Sequence, residues 1–135
     1  MIGLDTNVLV RYLAQDDAKQ AALATRLIEK QLSAAKPGFI SLVVLVELCW
    51  VLKKLYGATQ AELVQAVGDL LGAAAFRVER REVVQAVLRQ LSDSKSSKAG
   101  FADVLIAHLA SSEGCTHTLT FDKAAVRASG MALLE

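Results

Sequence analysis

Four acidic side chains stand where the sequence could place carboxylates in a ligand-binding crevice. Three of them follow a predicted strand or begin a predicted helix, and the fourth lies within a strongly apolar predicted helix. In an open α/β sheet, ligands bind outside the carboxyl ends of the strands. We therefore expect the four acids to converge at that edge; they are Asp5, Glu47, Asp103 and Asp122.

Each acid also has a purely structural explanation. Asp5 and Asp122 suit the N-cap of a following helix, and Asp103 in a first turn suits the helix dipole. Glu47 could form a buried ion pair with Arg11 or reach solvent from the rim, because an unpaired buried carboxylate is costly. Capping does not explain all four acids together, so we favour one ligand-binding site that they share.

A shared site of four carboxylates needs positive charge to offset their mutual repulsion. Oxygen ligands without His or Cys favour Mg²⁺ or Mn²⁺. His108 and His117 are better explained as helix-surface and strand-edge residues than as zinc ligands. Cys49 and Cys115 match no metal or disulfide pattern and are predicted to be buried or half-buried thiols.

The elements that must position the acids follow from hydrophobic periodicity and from capping residues. A first strand ends at Asp5, and further strands are predicted over 39–41, 76–78, 118–121 and 131–134. Segment 42–56 is apolar nearly all round, as expected of a core helix. The alternation predicts the α/β class with a mostly parallel sheet. Other helices are predicted over 6–14, 18–34, 83–91 and 101–113, and from Lys123 onward. A further helix begins at a capping box over 59–62 and continues through an amphipathic face over 63–71.

Length and composition set the broad class. The chain has 135 residues, of which 53% are hydrophobic, which suits a single domain spanning 1–135. No apolar run approaches the roughly 20 residues that cross a bilayer, and no signal-peptide pattern opens the chain, so we expect a cytoplasmic protein without membrane partners. A net charge of +1 disfavours a protein that simply coats nucleic acid, but it permits one that binds phosphates through metal ions.

With the four acids in place, the chain resembles PIN domains. More narrowly it is similar to the VapC-type ribonuclease toxins of bacterial toxin–antitoxin pairs. The resemblance covers essentially the whole chain, in the order and spacing of that family. Its motifs are Leu-Asp-Thr-Asn-Val-Leu-Val-Arg at 4–11, Ile-Ser-Leu-Val-Val-Leu-Val-Glu at 40–47, Phe-Ala-Asp-Val-Leu-Ile-Ala at 101–107 and Leu-Thr-Phe-Asp-Lys at 119–123.

The resemblance implies an α/β/α sandwich and a metal-dependent endoribonuclease. It makes Asp5, Glu47, Asp103 and Asp122 the catalytic residues and the ligands of Mg²⁺ or Mn²⁺. It further implies an RNA substrate, a homodimer and a cognate antitoxin whose segment blocks the acidic site. The polar loop before Asp103 is less regular than the family pattern. Supporting polar positions carry over to Thr6, Asn7 and Thr120.

The implied reaction is hydrolysis of an RNA phosphodiester by water that a metal ion has activated. Asp5 and Asp103 are our choice for direct ligands, with Glu47 and Asp122 binding directly or through water. The supporting residues would orient those carboxylates. Basic side chains are candidates for phosphate contacts, although a solvated surface charge is the better explanation for each; they are Arg11, Lys53, Lys54, Lys95, Lys98 and Lys123.

Two other classes of protein remain open. An aspartyl-phosphate enzyme also carries strand-end acids with Mg²⁺, but the dehalogenase type needs a second acid where Asn7 stands, and a receiver needs an early acidic pair. The other class is a PIN-like scaffold that binds RNA or protein without cutting. Degenerate scaffolds of that kind lose acids, whereas this chain has all four.

Overall fold

A computed structural model describes residues 1–93 and 99–135. Within them the chain forms two compact units, Met1–Arg81 and Glu82–Glu135, and each is described by itself. Two of the predicted phosphate-contact residues, Lys95 and Lys98, lie outside the described residues. The assignment of 1–135 to one domain stays a prediction.

The first unit is built around three short parallel strands. Strand β1 (Ile2–Gly3) pairs with β2 (Gly38–Ile40), and β2 pairs with β3 (Phe76–Val78). Gly38 permits this spacing, because a Cβ there would lie 2.7 Å from the Cδ1 atom of Leu4 and 2.8 Å from that of Leu32. The order β1-β2-β3 places the carboxyl ends of all three strands at one edge, which confirms the predicted parallel arrangement.

Helices connect the strands of the first unit. They are α1 (Thr6–Ala14), α2 (Ala18–Arg26), α3 (Leu42–Tyr56) and α4 (Gln60–Gly72), with a π-helical segment (Leu27–Gln31) after α2. The predicted bounds of α1 and α3 are confirmed. Ser41 accepts a hydrogen bond from the Val44 N–H and begins α3. Gly57 ends α3 in the left-handed region at φ 66°, where glycine carries no Cβ penalty.

The helix predicted over 18–34 is shorter in the structure and changes type before it ends. Hydrogen bonding shifts to a wider repeat over Leu27–Gln31, and the Leu32 N–H donates to the Leu27 carbonyl at 2.9 Å. Leu23 is 56% exposed, although its helical spacing to Leu27 is that of one apolar stripe. The buried side chains of α2 are Ala21 and Ala24, so small residues at the contact let it pack closely on its neighbours.

Helix α3 is not buried all round, contrary to the prediction. One face is buried at Leu45, Leu48, Cys49 and Leu52, the helical spacing of a single stripe. The other face is exposed; Val43 is 77% exposed and Trp50 57%. Apolar composition alone could not distinguish a core helix from one with an exposed apolar face.

The second unit contains α5 (Arg81–Leu91), whose first residue closes the first unit, and α6 (Phe101–Ser112), β4 (Leu119–Thr120), α7 (Lys123–Ser129) and β5 (Ala132–Leu133). Strands β4 and β5 are parallel. Val84, Val87 and Val104 are fully buried. The predicted α/β class is confirmed in both units. No helix of the described ranges is long and apolar enough to span a membrane.

Candidate active site

Asp5 stands where β1 gives way to α1. Leu4 extends the strand, since its N–H donates to the Phe39 carbonyl at 3.0 Å, and Asp5 is the extended N-cap residue of α1. Its Oδ1 accepts from the adjacent Thr6 N–H at 2.8 Å, whereas an ordinary N-cap reaches the second or third helical N–H. The side chain is exposed. The carboxylate therefore lies open to a ligand at the strand's carboxyl end.

Thr6 connects two of the predicted acids. Besides donating its N–H to Asp5, it donates its side-chain hydroxyl to Oε1 of Glu47. Thr6 is 5% exposed, so these hydrogen bonds are shielded from competing water. Asp5 and Glu47 are 42 positions apart in the sequence. Thr6 holds both of them, Asp5 through its backbone N–H and Glu47 through its hydroxyl.

Glu47 does not occupy the buried environment that the apolar helix suggested. It is exposed on α3, and Thr6 is its hydrogen-bond partner. The alternative of an ion pair with Arg11 is wrong, because Arg11 instead binds Asp16 at 3.1 Å. The exposed position leaves the Glu47 side chain open to solvent and to a cation.

Glu79 is a further carboxylate at the same sheet edge, which sequence reasoning missed. It follows β3, donates its N–H to the Ile40 carbonyl at 2.9 Å, and accepts the Leu42 N–H on Oε1 at 2.9 Å. It therefore satisfies a free donor at the start of α3 and fixes the helix that carries Glu47. Its place directly after a strand, like that of Asp5, was the available signal.

In the second unit, Asp122 and Thr120 form a compact turn. Asp122 begins α7, and its Oδ1 accepts the Ala124 N–H at 2.8 Å. The Asp122 N–H donates to Oγ1 of Thr120 at 3.0 Å. Asp122 therefore does cap α7, which was one explanation of this acid, and the Thr120 hydroxyl binds the Asp122 backbone.

Asp103 lies in the first turn of α6 and is half-buried. The N-cap of this helix is Gly100, which has no side chain to bond the free N–H groups. An acid in the first turn therefore complements the helix dipole. This position is compatible with both explanations of Asp103, as a dipole partner and as a metal ligand.

The donor atoms in the first unit fit a hard divalent cation. The second oxygens of Asp5 and Glu47, Oδ2 and Oε2, accept no hydrogen bond from the described residues, and both side chains are exposed. Oxygen-only donors of this kind suit Mg²⁺ or Mn²⁺. Across 1–93 and 99–135, no three His, Cys, Asp or Glu side chains are grouped closely enough to hold a metal ion. Convergence of all four acids stays a prediction.

The remaining candidate residues include predicted phosphate-contact lysines, a histidine and a cysteine. Lys53, Lys54 and Lys123 are exposed. The His108 Nε2 pairs with Oε1 of Gln90 at 2.7 Å, and partial burial, with a smaller effect of Arg89, lowers the pKa of His108. Burial raises the pKa of the Cys49 thiol to about 12, so Cys49 stays protonated and unreactive at neutral pH.

Asn7 lies on the first turn of α1 and is exposed. It lines a cleft of about 270 Å³ together with Arg11 and residues of α2. This cleft begins two residues beyond Asp5. Asn7, which the sequence predicts to support the acids, is therefore also part of a concave surface.

Comparison with known proteins identifies the family of the chain. The family model of the PIN domain matches residues 2–130, and the strands and helices described above fit its α/β/α fold. No curated protein matches the chain. PIN domains are generally nucleases that use divalent metal ions. Since the match runs through both units and includes every predicted acid, the chain belongs to the PIN domain family.

Proposed function

We propose that the protein is an endoribonuclease that depends on Mg²⁺ or Mn²⁺ and hydrolyses RNA phosphodiesters. The observation that carries the proposal is the pair of hydrogen bonds from Thr6, which hold Asp5 and Glu47 with one oxygen each left over. Helix capping would explain Asp5 alone and not Glu47. Two unrelated surface acids would not need a buried threonine that binds both of them. Membership of a family of nucleases supports the same activity.

The side chains of this chain have distinct tasks in the proposed reaction. Asp5 and Glu47 provide anionic oxygens for the cation, and Thr6 keeps them at a constant separation. Asp103 and Asp122 complete the proposed ligand set, with Thr120 orienting Asp122. Asn7 is the proposed third supporting residue. A bound divalent cation would acidify water and offset the charge that develops on the phosphate oxygens.

The test is cleavage of a pooled RNA by purified protein. We expect cleavage with Mg²⁺ or Mn²⁺, none with EDTA, recovery when metal is restored, and loss in Asp103→Asn. An inhibitor-free, folded protein that leaves RNA intact under every condition would contradict the proposal and favour a non-cutting PIN scaffold. Cleavage that persists in EDTA would exclude the metal-dependent mechanism.

We further propose that this activity belongs to a toxin acting in the cytoplasm as a homodimer, with a cognate antitoxin. Large apolar side chains exposed on α3 support protein interfaces; Val43 is 77% exposed, Trp50 57% and Leu55 69%. A chain that buries such a face against partners gains the free energy of removing it from water.

The toxin proposal predicts that induced expression arrests bacterial growth. Asp103→Asn should abolish the arrest, and co-expression of the antitoxin should relieve it. Equal protein levels on immunoblots control for expression. Normal growth with active wild-type nuclease present would indicate a role in RNA maturation instead of toxicity.

A further inference from the structure

The cleft beside Asn7 is formed by the facing sides of two helices. On α1 its residues have the spacing i, i+1, i+4, and on α2 the spacing i, i+3, i+4, so each set occupies one side of its helix. Its volume is about 270 Å³. The lining mixes polar and aliphatic side chains; it includes Asn7, Val8 and Arg11 from α1, and Gln20, Leu23 and Ala24 from α2.

Arg11 is held rigidly in the wall of this cleft. Its Nε donates to Oε1 of Gln20 at 2.7 Å, and its Nη1 donates to Oδ1 of Asp16 at 3.1 Å. The Tyr56 hydroxyl donates to the other Asp16 oxygen at 2.6 Å. This hydrogen bond, and then Arg11, lower the pKa of Asp16, while Asp16 raises the pKa of Arg11. The guanidinium thus stays charged and fixed, with 32% of the side chain exposed.

The amide groups of the cleft are available for recognition. Because Oε1 of Gln20 accepts from Arg11, its Nε2 keeps two hydrogens for a ligand. The exposed Asn7 amide offers one acceptor and two donors. Val8, Leu23 and Ala24 contribute aliphatic surface. Flat apolar faces with a polar edge are the chemistry of a nucleobase, and unstacked bases in RNA are bound by guanidinium planes and amide edges.

We propose that this cleft binds one unstacked base of the RNA substrate and thereby sets the sequence preference of cleavage. The inference rests on the proposed nuclease function. Asn7 lies two residues from Asp5 and lines the cleft, so the recognised base belongs to a nucleotide close to the cut phosphodiester. Arg11 stacks on the base, and Gln20 reads its edge.

The experiment compares cleavage preferences on a random-sequence RNA pool with Mg²⁺, read by sequencing the product ends. Gln20→Leu removes the amide, and Leu23→Trp fills the cleft. Both should lower the preference for the favoured base about 10-fold. Lys19→Leu and Ala22→Trp, which place the same residues on α2 outside this cleft, should retain the wild-type preference.

An RNA lacking the favoured base provides the second readout. Wild-type protein should cut it about 10-fold more slowly than the intact RNA, whereas Gln20→Leu should distinguish the two RNAs much less. Gln20 and Leu23 are exposed, so both variants should fold, which circular dichroism checks.

The outcomes separate the two proposals. If wild-type protein cuts RNA but Gln20→Leu and Leu23→Trp keep its base preference, the cleft does not bind a base, although the nuclease function stands. If these variants instead lose only the binding of a protein inhibitor, the cleft belongs to that partner. If wild-type protein cuts no RNA with metal present, the nuclease function fails, and the base-binding cleft fails with it.

Discussion

Replacing Asp5 with asparagine is expected to reduce the rate of Mg²⁺-dependent RNA cleavage by more than about 100-fold. Changing a residue that only supports a metal ligand costs about 10–100-fold, and Asp5 is proposed as a ligand itself. Asparagine matches aspartate in size and as an N-cap, so the Thr6 N–H can keep its acceptor. The variant should therefore remove the charge and preserve the fold. Single-turnover cleavage rates measure the loss.

Asp17→Asn is the matched control for this variant. Asp17 is also the N-cap residue of a helix in the first unit, where it accepts the Gln20 N–H at 2.9 Å, but it is not among the proposed ligands. Cleavage by Asp17→Asn should remain at the wild-type rate. Equal activity of Asp5→Asn and wild-type protein would show that Asp5 serves only as a cap.

Thr6→Val extends the argument to the link between the two acids. Valine has nearly the shape of threonine but cannot donate to Glu47, whereas the backbone N–H that binds Asp5 is kept. Cleavage should fall by about 10–100-fold, the usual cost of losing a partner that orients a ligand. Thr6→Ser, which keeps a hydroxyl, should restore much of the rate.

Leu48→Ala is expected to lower the free energy of unfolding by about 2–5 kcal/mol. Leu48 is fully buried on α3, so the truncation removes apolar contacts and leaves a cavity that the surrounding side chains fill only in part. Urea denaturation should show a lower midpoint with an unchanged slope.

Leu55→Ala is the control, because it makes the same change on the same helix. Leu55 is 69% exposed, and a surface substitution of this kind changes stability by less than about 0.5 kcal/mol. Equal losses from Leu48→Ala and Leu55→Ala in the monomer would contradict the exposed position of Leu55. A loss of stability in Leu55→Ala that appears only at high protein concentration would place Leu55 in an interface between subunits.

Local sequence determined where most elements begin and end. Asp17, Ser41 and Thr59 each accept a hydrogen bond from the first turn that follows them, and Gly57 ends α3 at positive φ. These are short-range effects of side-chain acceptors and of glycine's missing Cβ. The residues responsible lie within a few positions of the element that they begin or end. The ends of α1 and α3 were therefore predictable.

The candidate site was predictable as residue types and not as contacts. The acids at 5, 47, 103 and 122 were predicted from motifs that resemble those of the family, and the family model spans all four positions. The hydrogen bond from Thr6 to Glu47 was not foreseeable, because it joins residues 41 positions apart through the packing of α1 on α3. The same holds for Glu79 bonding Leu42, and for Tyr56 bonding Asp16.

Burial was the property that tertiary structure alone decided. By sequence, Leu23, Val43 and Trp50 are as apolar as the core residues, yet all three are exposed. Hydrophobic periodicity shows which residues share a side of a helix. Because α3 has apolar residues on every side, the elements that pack against it determine which side is buried. The same choice left Glu47 exposed beside Asp5. Short-range interactions thus determined where the elements begin and end, and residue types and motifs indicated the candidate acids. Long-range packing decided which helix faces are exposed to a ligand.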